Sequence, residues 1–201
     1  MQADYNYSCN SFLAFYNHQL ICTDLLIFSP GERLARFVNN ISVDVISATS
    51  ERAKLDGGSI PVEKEIAGTF SMEGSPMFTS IMDTGISRFT VGSDEPVALG
   101  GKGVMPSPLT YVLYGVLACY ASTLAIQCAS QGIVLEELKV RGTLTYDIGP
   151  VVVESVLPII KKLKIEVTAN RDLREIIALS RRRCPALFAI EHPIETELVQ
   201  K

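Results

Sequence analysis

The uncharged middle of the chain constrains its fold most. From Gly103 to Leu135 there is no Asp, Glu, Lys or Arg. Within that stretch the pattern predicts one long helix over Leu109–Ala129. Pro106 and Pro108 precede it, and proline suits a helix start because first-turn N–H groups have no intrahelical partner. Gly132, after Ser130-Gln131, suits the stop. The helix is apolar nearly all round, which predicts burial on every side. Gly115, Ala118, Ser122, Ala125 and Ala129 alternate in steps of three and four and so share one face. Such a small-residue face lets another backbone come close, and Cys119 lies beside it near mid-helix.

A membrane span is the competing reading, since the run exceeds what a bilayer needs. Thr110, Tyr111, Tyr114, Ser122, Thr123 and Gln127 are dense for a single span. No Lys/Arg cluster marks a cytoplasmic end. The core helix of a globular domain is therefore favoured, with no membrane partner expected.

The 201 residues suffice for one domain with an appendage, and 47% hydrophobic with 20% charged residues is an ordinary globular balance. The net charge of −4 disfavours nucleic acid as a partner. The opening Met-Gln-Ala-Asp has no basic region leading into an apolar core, so no secretory signal is expected. The five cysteines (Cys9, Cys22, Cys119, Cys128 and Cys184) are odd in number and widely spaced. They fit a reducing cytoplasm rather than a disulfide framework. Only His18 and His192 are available, neither in metal-ligand spacing, so neither a metal nor another cofactor is expected.

Taken in order, residues 1–45 read as an N-terminal extension and 46–201 as the main domain. Phe12 and the run Leu20–Phe28 are apolar enough to pack on something. Pro30–Asn40 reads as a short helix closed by Asn39-Asn40. Val43 and Val45, alternating with Ser42 and Asp44, read as a half-buried strand starting at Ile41. Asp56-Gly57-Gly58 signals a turn. Glu65–Glu73 and Phe78–Val91 read as further antiparallel strands, separated by Gly74-Ser75-Pro76. Beyond the central helix, Leu138, Val140, Leu144 and Tyr146 alternate with polar residues, and so do Leu163, Ile165 and Val167. Each pattern predicts a strand with one buried face. A second helix is expected from an Asn170 N-cap, with Asp172 in its first turn. Its apolar period runs from Leu173 through Ile176 and Ile177 to Ser180 and Cys184, and Pro185 bends or stops it. Ile194–Val199 reads as a final edge strand. Segregated strands and helices indicate an α+β fold with antiparallel sheets.

Cys119 and Cys184 each fall on an inner helix face. Were the second helix to lie on the small-residue stripe, the two thiols would approach one another. One thiolate would then attack a peroxide and become a sulfenic acid, and the other would condense with it to a disulfide. The alternative is simple packing, since free cysteine usually behaves as a small hydrophobe. Arg181-Arg182-Arg183 could supply a cation to a thiolate, but a basic run at a helix C-terminus is more often a solvated face favoured by the macrodipole. Cys128 reads as core, and His192-Pro193 as a turn. Gly100-Gly101-Lys102-Gly103 lacks the Lys-Ser/Thr ending of a phosphate loop.

Several ordered stretches carry a resemblance: Gly100-Gly101-Lys102-Gly103-Val104-Met105-Pro106-Ser107-Pro108-Leu109, then Gly115-Val116-Leu117-Ala118-Cys119, Gly132 to Leu138, and Arg183-Cys184-Pro185. Together, over roughly residues 85–190, they resemble the OsmC and organic-hydroperoxide-resistance (Ohr) superfamily. The resemblance implies an intertwined α+β homodimer with active sites at the subunit interface, and thiol-dependent reduction of organic hydroperoxides. It makes Cys119 the peroxidatic cysteine and Cys184 the resolving one. It also implies two partners besides the second copy, a small apolar hydroperoxide and a thiol reductant.

Two departures stand out. Peroxidase members carry a Glu ten residues before the first cysteine, where this chain has Leu109. They also hold the thiolate with an Arg from an N-terminal strand, for which Arg52, in Thr49-Ser50-Glu51-Arg52, is the candidate, with Arg88 as another. A thiolate in apolar surroundings needs such a cation. The alternative function is therefore an OsmC-like dimer that binds an apolar small molecule without peroxidase activity.

Overall fold

The computed structural model describes residues 36–200, together with the backbone of two short strands, β1 (Ala14–Tyr16) and β2 (Gln19–Ile21), which pair antiparallel. The expectations for Cys9, Phe12, His18 and Cys22 lie outside the described residues.

In place of the end of a helix, β3 (Phe37–Val38) pairs with β4 (Ile41–Ser42) across Asn39-Asn40. Both asparagines have positive φ, 53° and 63°. That is the geometry a two-residue hairpin loop demands, and Asn tolerates it better than most residues. The Asn39 side chain also reaches across the fold. Its Nδ2 donates to the Ile133 carbonyl at 2.8 Å and its Oδ1 accepts from the Leu135 amide at 2.8 Å.

The expected strand through Val43 and Val45 is instead the start of helix α1 (Val43–Leu55). Ser42 caps it by accepting from the Val45 amide, and Asp44 sits in the first turn, where the helix dipole favours a carboxylate. Two alternating pairs are too short a pattern to outweigh a cap followed by good helix formers such as Ala48, Glu51, Ala53 and Lys54. Helix α1 ends at the expected Asp56-Gly57-Gly58 turn. Arg52 therefore stands on a helix and not on an N-terminal strand.

Strands β5 (Gly68–Phe70), β6 (Phe78–Asp83) and β7 (Arg88–Ser93) form the anticipated antiparallel meander. The single run Phe78–Val91 is split by a tight turn through Gly85. The loop after β7 is pinned by Asp94, which is almost fully buried. Its Oδ2 accepts from the Ser75 hydroxyl at 3.0 Å and from the Val104 amide at 3.2 Å. Gly101 passes so close to the Glu95 carbonyl that a Cβ there would lie 1.9 Å from the oxygen. The Gly-rich turn is thus a compact loop aimed at the central helix.

That helix, α2 (Pro108–Ser130), matches its expected span to within a residue at each end. Ser107 caps it, accepting from the Thr110 amide, and Pro108 opens it. At the far end Gly132 has φ 70°, its amide donates to the Ala129 carbonyl, and the Ile133 amide donates to Cys128. This paired closure is the Schellman motif.

Strands β8 (Leu138–Tyr146) and β9 (Ile160–Ala169) pair antiparallel from Leu138↔Ala169 to Tyr146↔Ile160. The Gly149-Pro150 break between them is a single helical turn, α3 (Gly149–Val152). Their apolar faces lie against α2, where Gly142 lets Leu117 settle on the sheet.

Helix α4 (Arg174–Arg183) has Leu173 in the N-cap position and so starts three residues later than expected. Asn170 is committed elsewhere, its Oδ1 accepting from the Glu136 amide at 3.1 Å. Pro185 stops α4 and opens α5 (Pro185–Glu191), leaving Cys184 as the extended hinge with φ −83° and ψ 114°. The anticipated final strand is absent from the described residues. Ile194–Val199 is exposed and unpaired.

The core is one cluster in which Val116, Tyr120, Leu124 and Cys128 of α2 meet Leu173, Ile176, Cys184 and Leu187. This face of α2 is opposite the small-residue stripe. Burial on every side is thus not achieved within one chain: Gly115, Ala118 and Ser122 are exposed, as are Val112 and Tyr114 at 51% and 70%. The reason is supply. Sheet β8–β9 and helices α4 and α5 cover one side of α2, and α1 adds only a limited contact. Helix α2 is long and apolar enough to cross a bilayer, and one of its sides packs against α4, α5 and β8.

A candidate active site of two thiols

Cys119 projects from the flank of α2, between the buried face and the open stripe, and is half-buried. Cys184 is fully buried at the α4–α5 hinge. Helix α4 does not lie on the small-residue stripe, the packing expected to bring the thiols together. It lies on the Val116–Tyr120 side and delivers Cys184 to Cys119 at the edge of that contact. The Cys184 thiol donates to the Cys119 sulfur at 3.6 Å.

The two sulfurs differ in their surroundings. Burial pushes the Cys184 thiol up from the ordinary value, and the Leu187 amide, aimed at the sulfur from the first turn of α5, works against that burial. Its neighbour Cys119 adds to the rise, since a proton on Cys184 is what the hydrogen bond between them uses. Cys128, two turns further along α2, is buried and its thiol is also pushed up by desolvation. It belongs to the core, as expected.

The ring of Tyr120 is buried beside Cys184, and its hydroxyl donates to the Ile177 carbonyl at 3.3 Å. Burial raises the Tyr120 phenol, with the nearby Cys184 adding to the rise and Arg181 opposing it. Next to this core lies an open cleft of about 940 Å³ whose walls include Tyr120, Ile165, Ile177, Arg182 and Leu187.

The candidate cations are placed as follows. Arg52 is exposed in the last turn of α1 and pairs with Asp56 at 3.5 Å. Arg88 is exposed on β7 and pairs with Asp83 at 2.7 Å. Arg181 pairs with Glu191 at 2.9 Å, which braces α4 against α5. Arg183 Nη1 donates to Gln127 Oε1 on α2 at 2.7 Å. Among the described residues the Cys119 sulfur has one hydrogen-bond partner, Cys184. Leu109 is half-buried near the start of α2. His192 closes α5, stacked on Phe188 with ring centroids 4.3 Å apart. The sequence reading missed Gln127. A lone amide on the inner face of an otherwise uncharged helix is a signal that a polar partner must meet it.

The arrangement is chemically specific. One sulfur is reachable from solvent and the other is sealed behind it within a thiol hydrogen bond. Closing a disulfide requires the sulfurs to approach from 3.6 Å to roughly 2.05 Å.

Residues 100–199 match the family model described as OsmC-like protein. No curated protein matches the chain. Among solved structures, the chain is similar to an osmotic stress induced and detoxification response protein from Psychrobacter arcticus 273-4. The two share 19% identity over 67% of this chain and 92% of that one, with a TM-score of 0.50. It is also similar to an OsmC-like protein from Mycoplasma pneumoniae, at 20% identity over 66% and 89% of the two chains with a TM-score of 0.49. An organic hydroperoxide resistance protein OsmC from Legionella pneumophila shares 20% identity over 65% and 91%, with a TM-score of 0.45. At such identities the likeness is one of fold.

Proposed function

The chain belongs to the OsmC-like proteins as a divergent member, and from that premise we propose that it reduces organic hydroperoxides with Cys119 and Cys184. The observation that carries this reading is the 3.6 Å contact between a half-exposed and a fully buried thiol. The Cys119 thiolate attacks the outer oxygen of the hydroperoxide. The O–O bond breaks, an S–O bond forms, and the departing alkoxide takes a proton to become an alcohol. Cys184 then attacks the Cys119 sulfenic acid; the S–S bond forms and water leaves with the Cys184 proton. A dithiol reductant returns both thiols. Burial supports this order, because of these two thiols Cys119 is the one open to a substrate.

The working unit in this reading is a homodimer in the cytoplasm. An uncharged, exposed face of α2 and exposed Phe70, Ile81 and Phe89 on the meander favour a second copy as their cover. That copy would also bring in the cation the thiolate needs, for which Arg52 is the candidate: its ion pair with Asp56 is solvent-exposed and therefore weak.

A second reading is favoured by Leu109. Without a carboxylate to orient a cation, the same dimer would hold an apolar small molecule at the interface and leave Cys119 unreactive. Adding one equivalent of cumene hydroperoxide to the reduced protein separates the two. Peroxidase function gives one equivalent of alcohol and a Cys119–Cys184 disulfide in peptide maps; a binding module leaves both thiols reduced.

A further inference from the structure

We propose that the hydrogen bond between Arg183 and Gln127 positions Cys184 for disulfide formation with Cys119, making both positioning residues for the resolving step. The proposal rests on the two-thiol reading above for its function, and on independent geometry for its mechanism.

Cys184 sits where no helix holds it. Helix α4 ends at Arg183, α5 begins at Pro185, and Cys184 itself has extended dihedrals. Besides the contacts of its own buried thiol, the hinge is tethered by its flanks. On one side the Phe188 amide donates to the Cys184 carbonyl at 2.9 Å. On the other, Arg183 reaches past the helix end to Gln127 at 2.7 Å. Gln127 lies on the buried side of α2, the same helix that carries Cys119. The bond therefore ties the residue next to one thiol to the helix that bears the other. It has the length of a charge-assisted hydrogen bond, which is stronger than a neutral one.

The neighbouring arginines do different work. Arg181 pairs with Glu191 and braces α4 on α5. Of the three consecutive arginines, Arg183 is the one that bonds to α2. The tolerance of the chemistry makes the tether matter. The sulfurs must close by roughly 1.5 Å to form the disulfide, and a small displacement of a reacting pair costs rate steeply.

The test uses the full-length protein and the variants Gln127→Leu, Arg183→Ala and Gln127→Glu. Gln127→Leu keeps the volume without the acceptor, and Gln127→Glu keeps an acceptor for Arg183. Equilibration with a glutathione redox buffer reads the effective concentration of one thiol toward the other without any peroxide. It should fall roughly tenfold or more in Gln127→Leu and Arg183→Ala and return in Gln127→Glu. In single-turnover reactions with cumene hydroperoxide, Cys119 should oxidise at the parental rate in all three. A dimedone-trappable sulfenic acid should accumulate only in Gln127→Leu and Arg183→Ala. Unchanged effective concentration in both of these variants, with thermal denaturation showing them folded, overturns the positioning role. Loss of effective concentration that Gln127→Glu fails to restore overturns it as well. A parent protein inert to peroxide but with the expected glutathione equilibria would overturn the peroxidase reading and leave the positioning role standing.

Discussion

Cys184 donates its thiol hydrogen to Cys119 across 3.6 Å although the two residues are 65 positions apart in the chain. One sulfur is half-buried on a helix flank and the other has no exposed surface. This asymmetry assigns an order to the chemistry, and the first expectations follow from it.

Replacing each thiol should split the reaction. Cys119→Ser should abolish both peroxide consumption and disulfide formation. Cys184→Ser should consume one equivalent of hydroperoxide and stop at a sulfenic acid, seen by mass spectrometry after dimedone trapping. Oxidation of Cys9 or Cys22 with Cys119 still reduced would remove the peroxidase reading.

The resolving step should quicken as pH rises through the neutral and mildly alkaline range. Burial raises the Cys184 thiol above its ordinary value, so little of the attacking thiolate exists at neutrality. Stopped-flow measurement of disulfide formation under excess hydroperoxide, where oxidation of Cys119 is no longer limiting, reads this directly. A rate that does not change with pH would contradict it.

Stability of the reduced protein should run the other way. Cys128 has its folded-state thiol pushed up by burial, so above the unfolded value of about 8.5 the unfolded chain holds fewer protons than the folded one. The contribution is fully present below that pH and is lost as pH rises through the folded value. Urea midpoints of the reduced protein should therefore decline above about pH 8.5, and Cys128→Ala should flatten the decline.

Gly142→Val should destabilise the protomer itself. A Cβ at Gly142 would lie 2.7 Å from Leu117 Cδ2 and 3.1 Å from Leu113 Cδ1. Either α2 lifts from the sheet or both leucines change rotamer, an overpacking cost of about 1–3 kcal/mol. Denaturant unfolding of the variant against the parent measures it.

Gly115→Leu should spare the protomer and disturb association. Nothing lies within 4 Å of a Cβ at Gly115, so the added side chain meets no atom of its own chain. If a second copy covers the open face of α2, sedimentation velocity at micromolar concentration should show a dimer for the parent and a weaker one for the variant. A parent protein that sediments as a folded monomer would end the dimer proposal.

The central helix was legible because its determinants are local: an uncharged run, a Ser-Pro start and a Gly stop act through covalent neighbours. The same holds for β8 and β9, whose alternation over nine and ten residues leaves one face to bury, and for the hinge at Cys184, which Pro185 imposes. Shorter signals were outweighed. The alternation at Val43 and Val45 gave way to the Ser42 cap. Asn39-Asn40 closes a hairpin rather than a helix because both residues accept positive φ. Asn170 lost its place at the α4 start because the Glu136 amide, brought by β8, takes its side chain.

The sequence by itself determined which segments are helix and strand over the best-patterned half of the chain, that Cys119 sits on the flank of the central helix, and that Pro185 interrupts the helical run at Cys184. Tertiary structure alone decided which side of α2 receives α4, how far apart the two sulfurs lie, and that Gln127 meets Arg183. Helix periodicity places a residue on a face, within a turn or so. The separation of two side chains from distant segments depends on how sheet β8–β9, with Leu117 seated on Gly142, and the core around Tyr120 bring those segments together. No run of neighbouring residues encodes that sum.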